Sequence, residues 1–186
     1  FLQASFRSSA CLLAENNSSR GQAAACTGGG QDDEIHVQKG NRIPGLPAHS
    51  LKLALLWRAA AGLRCGADVQ AFSGQYARGN ENNVHQAGSA TDAFGTTRTF
   101  SGGGRLPGYA VLNLNAEADL GRGWQLFGRI DNVFDKRYGS AAALAENPFD
   151  AAGAFQVDSG TWRRETFIAP GAPRSVWLGL RYAFDR

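Results

Sequence analysis

The stretch Gly108–Phe134, GYAVLNLNAEADLGRGWQLFGRIDNVF, decides the fold. From Ala110 to Leu120 the even positions are Ala110, Leu112, Leu114, Ala116, Ala118 and Leu120. Between them stand Asn113, Asn115, Glu117 and Asp119. A period of two puts apolar and polar residues on opposite faces of a strand. Gly121-Arg122-Gly123 interrupts the pattern with turn chemistry. The alternation resumes with Trp124, Leu126, Ile130 and Phe134 on one face. Gln125, Arg129 and Asp131 occupy the other, with Phe127 as an exception. The stretch is therefore a hairpin. Its alternation fits a half-buried sheet in a soluble sandwich. It equally fits a membrane barrel with apolar residues toward lipid and polar residues toward a wet lumen.

Composition narrows the classes. The chain has 186 residues, enough for one ordinary domain. It holds no Met, and Phe1 falls inside a strand-like pattern, so we read it as a fragment or a processed product. Its most apolar stretch, Leu51–Leu63, is cut by Lys52 and Arg58 and followed by Arg64. No run approaches the roughly 18 apolar residues of a spanning helix. Spanning strands need only about 9–11 residues each, so a barrel stays open. A net charge of +3, with acids and bases interspersed, is no nucleic-acid footprint. Of the three cysteines, Cys11 and Cys26 share one long segment. They are either a bridge formed in an oxidising compartment or two unpaired thiols. Cys65 lies in a strand pattern and packs as a small apolar residue.

Taken in order, the chain alternates long and tight connections. Leu2, Ala4 and Phe6 suggest a first strand. An irregular segment follows from about Cys11 to His49, with short strands expected around Ile35–Lys39. Leu51, Leu53, Leu55 and Trp57 share a face in a second strand, and Ala59-Ala60-Ala61-Gly62 turns the chain. Leu63, Cys65, Ala67, Val69 and Ala71 mark a third. A polar segment from about Arg78 to Pro107 precedes the hairpin, and another runs from about Asp135 to Pro173. The last strand has Val176, Leu178, Leu180, Tyr182 and Phe184 on one face. Ser175, Trp177, Gly179, Arg181 and Ala183 fall on the other.

Compact soluble domains seldom hold one structureless loop longer than about 15 residues. Three such segments, alternating with turns of a few residues, match an outer-membrane barrel with short periplasmic turns and long extracellular loops. About ten residues per strand at roughly 3.3 Å, tilted near 40°, cover an apolar band of about 25 Å. Trp57, Trp124, Tyr182 and Phe184 then fall at the level of the tight turns, as a lower aromatic girdle requires. Phe134, Tyr138, Tyr109 and Tyr76 fall near the opposite level. The fold class is all-β: an antiparallel up-and-down transmembrane barrel fragment of about six strands. Leu112, Leu114, Leu126, Leu178 and Leu180 are expected to face lipid. Asn113, Asn115, Glu117, Arg129 and Arg181 are expected to face the lumen, with Glu117 and Arg129 pairing across strands.

Four motifs carry a family resemblance. Asp131-Asn132-Val133-Phe134-Asp135-Lys136-Arg137-Tyr138 resembles the N-L-F-D-K-x-Y signature of TonB-dependent outer-membrane receptors. Gly171-Ala172-Pro173-Arg174 and the strand to Phe184 resemble their G-x-P-R and terminal strand. Arg42–His49 is similar to a P-G-x-P-x-H segment, and Leu106-Pro107-Gly108-Tyr109 to a P-G-Y strand opening. The motifs occur in the family's order and span nearly the whole chain. The resemblance implies that residues 1–186 are the C-terminal part of such a receptor's barrel, without its plug domain. It implies residence in the outer membrane of a Gram-negative bacterium, in contact with its lipid. It implies active import of a scarce ligand, above all a ferric siderophore, with energy from the TonB complex reached through an N-terminal region. Asp185-Arg186 after Phe184 depart from the family's usual aromatic end. The competing functions are a passive porin-like channel and a soluble β-rich binding module.

Candidate sites are few. Trp162, Arg163 and Arg164 are the candidates for contact with an anionic ligand, since guanidinium groups match carboxylate and catecholate oxygens and Trp gives a stacking face. Asp131, Asn132, Phe134, Asp135, Tyr138, Pro173, Arg174 and Phe184 are read as structural. In the first motif, Asn132 and Asp135 are suited to cap backbone groups in a bend. His36, His49 and His85 lack the spacing of a metal site, and Asp32-Asp33-Glu34 reads as a solvated acidic loop. Gly28-Gly29-Gly30 and Gly102-Gly103-Gly104 lack the Lys-Ser/Thr or helix start of a phosphate loop. We read no catalytic constellation, no enzyme activity, no cofactor and no metal from the sequence.

Overall fold

The computed structural model describes residues 1–21, 26, 33–91 and 95–184. The all-β reading holds: thirteen strands and one short 3-10 turn are found among these residues. In chain order the strands are β1 (Ala10–Leu13), β2 (Glu34–Val37), β3 (Ser50–Ala60), β4 (Leu63–Phe72), β5 (Gln75–Tyr76), β6 (Gly88–Thr91) and β7 (Thr97–Ser101). There follow β8 (Arg105–Leu106), β9 (Tyr109–Gly121), β10 (Trp124–Asp131), β11 (Gly139–Asn147), β12 (Arg163–Pro170) and β13 (Ser175–Tyr182). The chain divides into two compact units.

One unit comprises His49–Ser73, Gly108–Tyr138 and Pro170–Arg186. It is a five-stranded sheet in the order β13-β10-β9-β4-β3, with antiparallel pairing between each pair of neighbours. Its strands are the five clearest alternating segments of the sequence. Two tight turns join them in pairs. Gly62 takes φ 78° in one, and Gly121, Arg122 and Gly123 take φ 79°, 51° and 81° in the other. These are left-handed conformations, which glycine adopts without a Cβ penalty.

Cross-strand register sorts the side chains. Leu55, Ala67, Leu114, Ile130 and Val176 form one row across all five strands. Trp57, Cys65, Ala116, Gly128 and Leu178 form the next on that same face. Leu63, Ala118, Leu126 and Leu180 follow. The opposite face carries Asp68 against Asn113, Arg64 against Glu117, Asn115 against Arg129, and Gln125 against Arg181. A soluble sandwich would cover the leucine rows with a second layer. Leu53, Leu178 and Leu180 instead remain 59%, 77% and 57% exposed. Val111 is the one apolar residue of this unit in the buried class among the described residues. The five strands do not close into a barrel; β3 and β13 are its edges.

The first expected strand is absent, so the sheet has five strands and not six. Leu2–Phe6 makes a single bridge, Ser5 to Arg42. Leu2 and Phe6 donate backbone N–H groups to Ala48 and Asn41, and Ile43 donates to Ala4. Pro44 has no N–H to extend this pairing, and Gly45 at φ 76° bends the partner chain away.

The second unit comprises Phe1–Ala48, Gly74–Pro107 and Gly139–Ala169, which take in most of the three segments expected to be irregular together with the first expected strand. They are ordered. β1 pairs with β2, β5 with β8, and a four-stranded sheet runs β11-β12-β7-β6, with β12 parallel to β7. Ile35 and Val37 are fully buried with Ala14, and Phe6 and Leu12 pack on them. Cys11 and Cys26 form a disulfide, which decides between the two readings of these cysteines. β11 and β12 were not legible because Ser140–Ala145 is small and nearly featureless in period. Asp32, the Gly28-Gly29-Gly30 run and Asp185-Arg186 lie outside the described residues.

Candidate functional site

The residues that most resemble a family signature meet at one end of the five-stranded sheet. β10 stops at Asp131 because Asn132 takes φ 51°, a conformation asparagine tolerates better than most residues. Asn132 is buried, and its amide is fully engaged. Its Nδ2 donates to the carbonyls of Lys136 at 2.9 Å and Ala172 at 3.0 Å, and its Oδ1 accepts from the Lys136 N–H at 2.9 Å. Its own N–H donates to Asn113 Oδ1 at 2.9 Å. Asp135, at φ 50°, accepts the Arg174 N–H on Oδ1 at 3.0 Å. Gly171 donates its N–H to the Tyr138 carbonyl at 2.7 Å.

Tyr138 lies over Gly171, where any Cβ would collide with the ring. It stacks on Tyr109 with centroids 4.2 Å apart, and Tyr109 meets Phe72 at 5.2 Å. Register puts Tyr109 and Phe72 on the face of Asn113 and Asp68, the polar one. These rings sit at the expected height but on the other side of the sheet from the leucine rows. Tyr76, expected at the same level, belongs to the other unit, where the guanidiniums of Arg42 and Arg105 flank its ring. Phe134 is 77% exposed. At the tight-turn end Trp124 packs on Tyr182 at 4.7 Å, and Tyr182 on Phe184 at 4.7 Å. Trp57, Trp124 and Tyr182 all share the apolar face.

The polar face has its own ion pairs. Glu117 pairs with Arg64 at 2.9 Å, and Arg129 with Asp131 at 2.6 Å. The expected Glu117–Arg129 pair does not form, because register sets Glu117 opposite Phe127 and Arg129 opposite Asn115. Phe127 lies over Gly179 on the neighbouring strand, and Arg181 stands 5.8 Å from its centroid. A glycine under an aromatic ring keeps that cross-strand position filled. Leu56, Arg58, Arg64, Asn115 and Glu117, with Trp57 and Cys65, line a shallow cleft of about 360 Å³.

The ligand candidates lie in the second unit. Arg163 is half-exposed and pairs with Glu165 at 3.2 Å. Arg164 is mostly buried and pairs with Glu146 at 2.6 Å. Successive strand residues point to opposite faces, so the two guanidiniums do not converge. Burial pushes the Arg164 pKa down, and Glu146 opposes that shift. Trp162 Nε1 donates to the Gln156 carbonyl at 2.8 Å. Sequence reasoning missed a second cleft in this unit, about 420 Å³, lined by Gln75, Arg78, Ser140, Ala142, Phe167 and Ala169 among others. Its lining comes from four distant segments, Gly45 among them, and no periodicity marks them.

Of the histidines, His36 faces Cys11 across the β1–β2 ladder, the His49 N–H donates to Ser73 Oγ, and His85 is buried. Asp33 pairs with Arg20. Cys11, Cys26 and Glu34 bring potential metal-ligand atoms within 4.8 Å of one another. Both sulfurs are held in the disulfide and offer no thiolate.

A family model described as TonB dependent receptor-like, beta-barrel matches residues 22–133, more than half of the chain. The chain belongs to that family. Among solved structures it is similar to the siderophore receptor PiuA from Acinetobacter baumannii, with a TM-score of 0.51 and 16% identity over 77% of this chain and 15% of that one. It is also similar to the ferric-catecholate import receptor Fiu from E. coli, with a TM-score of 0.48 and 16% identity over 81% of this chain and 17% of that one. The ferric yersiniabactin uptake receptor FyuA from Yersinia pestis aligns with a TM-score of 0.48 and 14% identity, over 82% and 20% of the two chains. The chain thus spans 15% to 20% of the length of these receptors. No curated protein matches it.

Proposed function

We propose that this chain is the C-terminal portion of the barrel of an outer-membrane receptor that imports a scarce ligand, a ferric siderophore, with energy from the TonB complex. The observation that carries this reading is the single-layer sheet of β3, β4, β9, β10 and β13. One face is a continuous apolar surface left uncovered, and the other is polar and ion-paired. Water is a poor solvent for the first face and hydrocarbon for the second, whereas a membrane-spanning wall satisfies both. In this reading the tight turns are periplasmic and the long connections extracellular. The order of the signature motifs supports a C-terminal position in the barrel. The edges of β3 and β13 take further strands of the same barrel, and a plug domain and the TonB-contacting segment belong to an N-terminal region.

Arg163 and Trp162 remain the candidates for ligand contact, now joined by Arg78 in the second cleft. Arg164 holds its side chain against Glu146 and serves the fold. The motif 131–138 with Gly171-Ala172-Pro173-Arg174 is a joint that sets the start of the last strand.

Deleting the gene in its own bacterium under iron limitation tests the reading. Uptake of radioactive iron from a ferric siderophore should be lost, and in the wild type a protonophore should abolish it equally. Uptake that survives the protonophore and rises linearly with ligand concentration would replace the receptor by a passive channel.

A further inference from the structure

Four side chains that the proposed transport does not use are buried together in the second unit: Asn17, Asn80, Asn82 and His85. They tie the 14–21 loop to the 79–86 turn. Asn17 Nδ2 donates to the Gly79 carbonyl at 2.7 Å and to Asn82 Oδ1 at 3.2 Å. Asn82 Nδ2 donates to Ser19 Oγ at 2.7 Å, and the Gln86 N–H donates to Ser18 Oγ at 2.9 Å. The Ser18 N–H donates to His85 Nδ1 at 3.0 Å. Amides and hydroxyls keep their donors and acceptors across the ordinary pH range. An imidazole does not.

We propose that His85 is a pH-sensitive clasp: its neutral ring holds the 14–21 loop on the 79–86 turn, and protonation releases that loop. The bond to Ser18 requires a bare Nδ1, so the proton of the neutral ring resides on Nε2. Nε2 is buried and faces the Gly102 backbone without closing a well-formed hydrogen bond. A second proton must go to Nδ1, which then presents a donor to the Ser18 donor. The ring has little room to turn away. The backbone N–H of His85 donates to Asn80 Oδ1 at 3.0 Å, and Phe100 packs edge-on to the ring at 5.7 Å. A Cβ on Gly104 would come within 2.8 Å of the ring.

Burial pushes the His85 pKa below the ordinary value of 6.5, and the Gly102 backbone opposes this more weakly. The unfolded or released state therefore binds more protons than the closed one as pH falls through 6.5. The closed state is favoured fully above that value and loses its advantage as pH falls toward the lowered pKa of His85. The elements packed around the ring carry Glu15, Arg20, Glu81, Arg98 and Arg105. Arg20 pairs with Asp33, Glu81 accepts the Gly79 N–H, and Arg105 covers Tyr76. The proton affinity of His85 is set by burial and the Gly102 backbone rather than by any of these charges. Cys11–Cys26 brackets the loop, so release swings a tethered segment without unravelling it.

Amide hydrogen exchange on the natural protein that carries this chain, folded in detergent, tests the clasp. It is read at about pH 7.5 and about pH 5.5, on either side of ordinary histidine titration, after correction for intrinsic exchange. Peptides spanning 14–21 and 84–90 should exchange roughly tenfold faster at the lower pH, the population change of one lost buried hydrogen bond. Peptides of β9 and β10 should not change. His85→Asn puts a non-titrating acceptor where Nδ1 stood, and its exchange should be the same at both values. Equal opening of that variant at both values also supports the clasp, since the pH response has gone with the imidazole. Wild-type protection that ignores pH overturns the proposal, as does acid release in His85→Asn equal to that of the wild type.

Discussion

The Asp135 carboxylate accepts the backbone N–H of Arg174 at 3.0 Å, 39 residues away in sequence. With the Asn132–Ala172 bond, it closes the segment that ends β10 onto the segment that begins β13. Each is one of the two motifs nearest the end of the chain that resemble the family. They are two halves of one joint, and the left-handed Asn132 and Asp135 let a short bend present both side chains.

Asn132→Ala should destabilise the folded receptor by about 2–4 kcal/mol. It removes the partners of the part-buried Lys136 N–H and of two carbonyls, and puts alanine, which tolerates positive φ less well than asparagine, at φ 51°. Asn132→Gly loses the same bonds but relaxes the backbone, so its cost should be smaller. The unfolding temperature in detergent, read by heat-modified gel mobility, measures both. Equal tolerance of the two variants would remove the joint from the account.

Leu178→Arg should block assembly far more than Asn115→Arg. Leu178 stands on the uncovered apolar face, and Asn115 on the polar one. A cationic side chain toward lipid costs about 2–4 kcal/mol near the bilayer midplane and far less toward a wet lumen. The yield of folded protein in outer-membrane fractions checks the contrast.

Arg163→Ala and Arg164→Ala should separate ligand contact from structure. The Arg163–Glu165 pair is half-exposed, so its loss should change stability by less than about 1 kcal/mol. Losing Arg164 leaves Glu146 partly buried without its partner and should cost roughly 1–3 kcal/mol. Affinity for an anionic ferric siderophore should fall with Arg163→Ala while the melt stays put. An unchanged dissociation constant, from ligand titration in detergent, would remove Arg163 from the ligand site.

Cys11→Ser should loosen the 11–26 loop. A disulfide over a sequence separation of 15 contributes about 3 kcal/mol by the chain-entropy account. Limited proteolysis of the full-length protein should then cut within residues 12–25 at rates the wild type reaches only after reduction. Resistance equal to the wild type would mean that the Asn17 and Ser18 contacts suffice.

The five long strands were legible in the sequence because a one-layer sheet with one apolar and one polar face makes every residue declare a face. Leu112 against Asn113, or Leu178 against Gly179, needs no knowledge of the neighbouring strand. The tight turns were legible for a related reason: Gly62 and the Gly121-Arg122-Gly123 run supply the left-handed conformations a short hairpin demands. The motifs around Asn132 and Pro173 were visible singly. That they close on each other was not, since 39 residues separate Asp135 from Arg174 and only pairing through β10 and β13 brings them together.

The tertiary structure alone decided the rest. Leu2, Ala4 and Phe6 alternate as a strand should, yet Pro44 and Gly45 on the partner segment end their pairing after one bridge. Glu117 and Arg129 have complementary charge, but register gives Glu117 to Arg64 and Arg129 to Asp131. The long connections read as irregular because their described residues are held by short strands paired between distant segments, side-chain amides and a disulfide rather than by a sustained apolar period. Asn17, Asn80, Asn82 and His85 look like loop residues until the fold buries them against one another. Alternation is a local property that one strand carries by itself. Hydrogen-bond partnership between distant segments is a property of the folded chain, and no single segment records it.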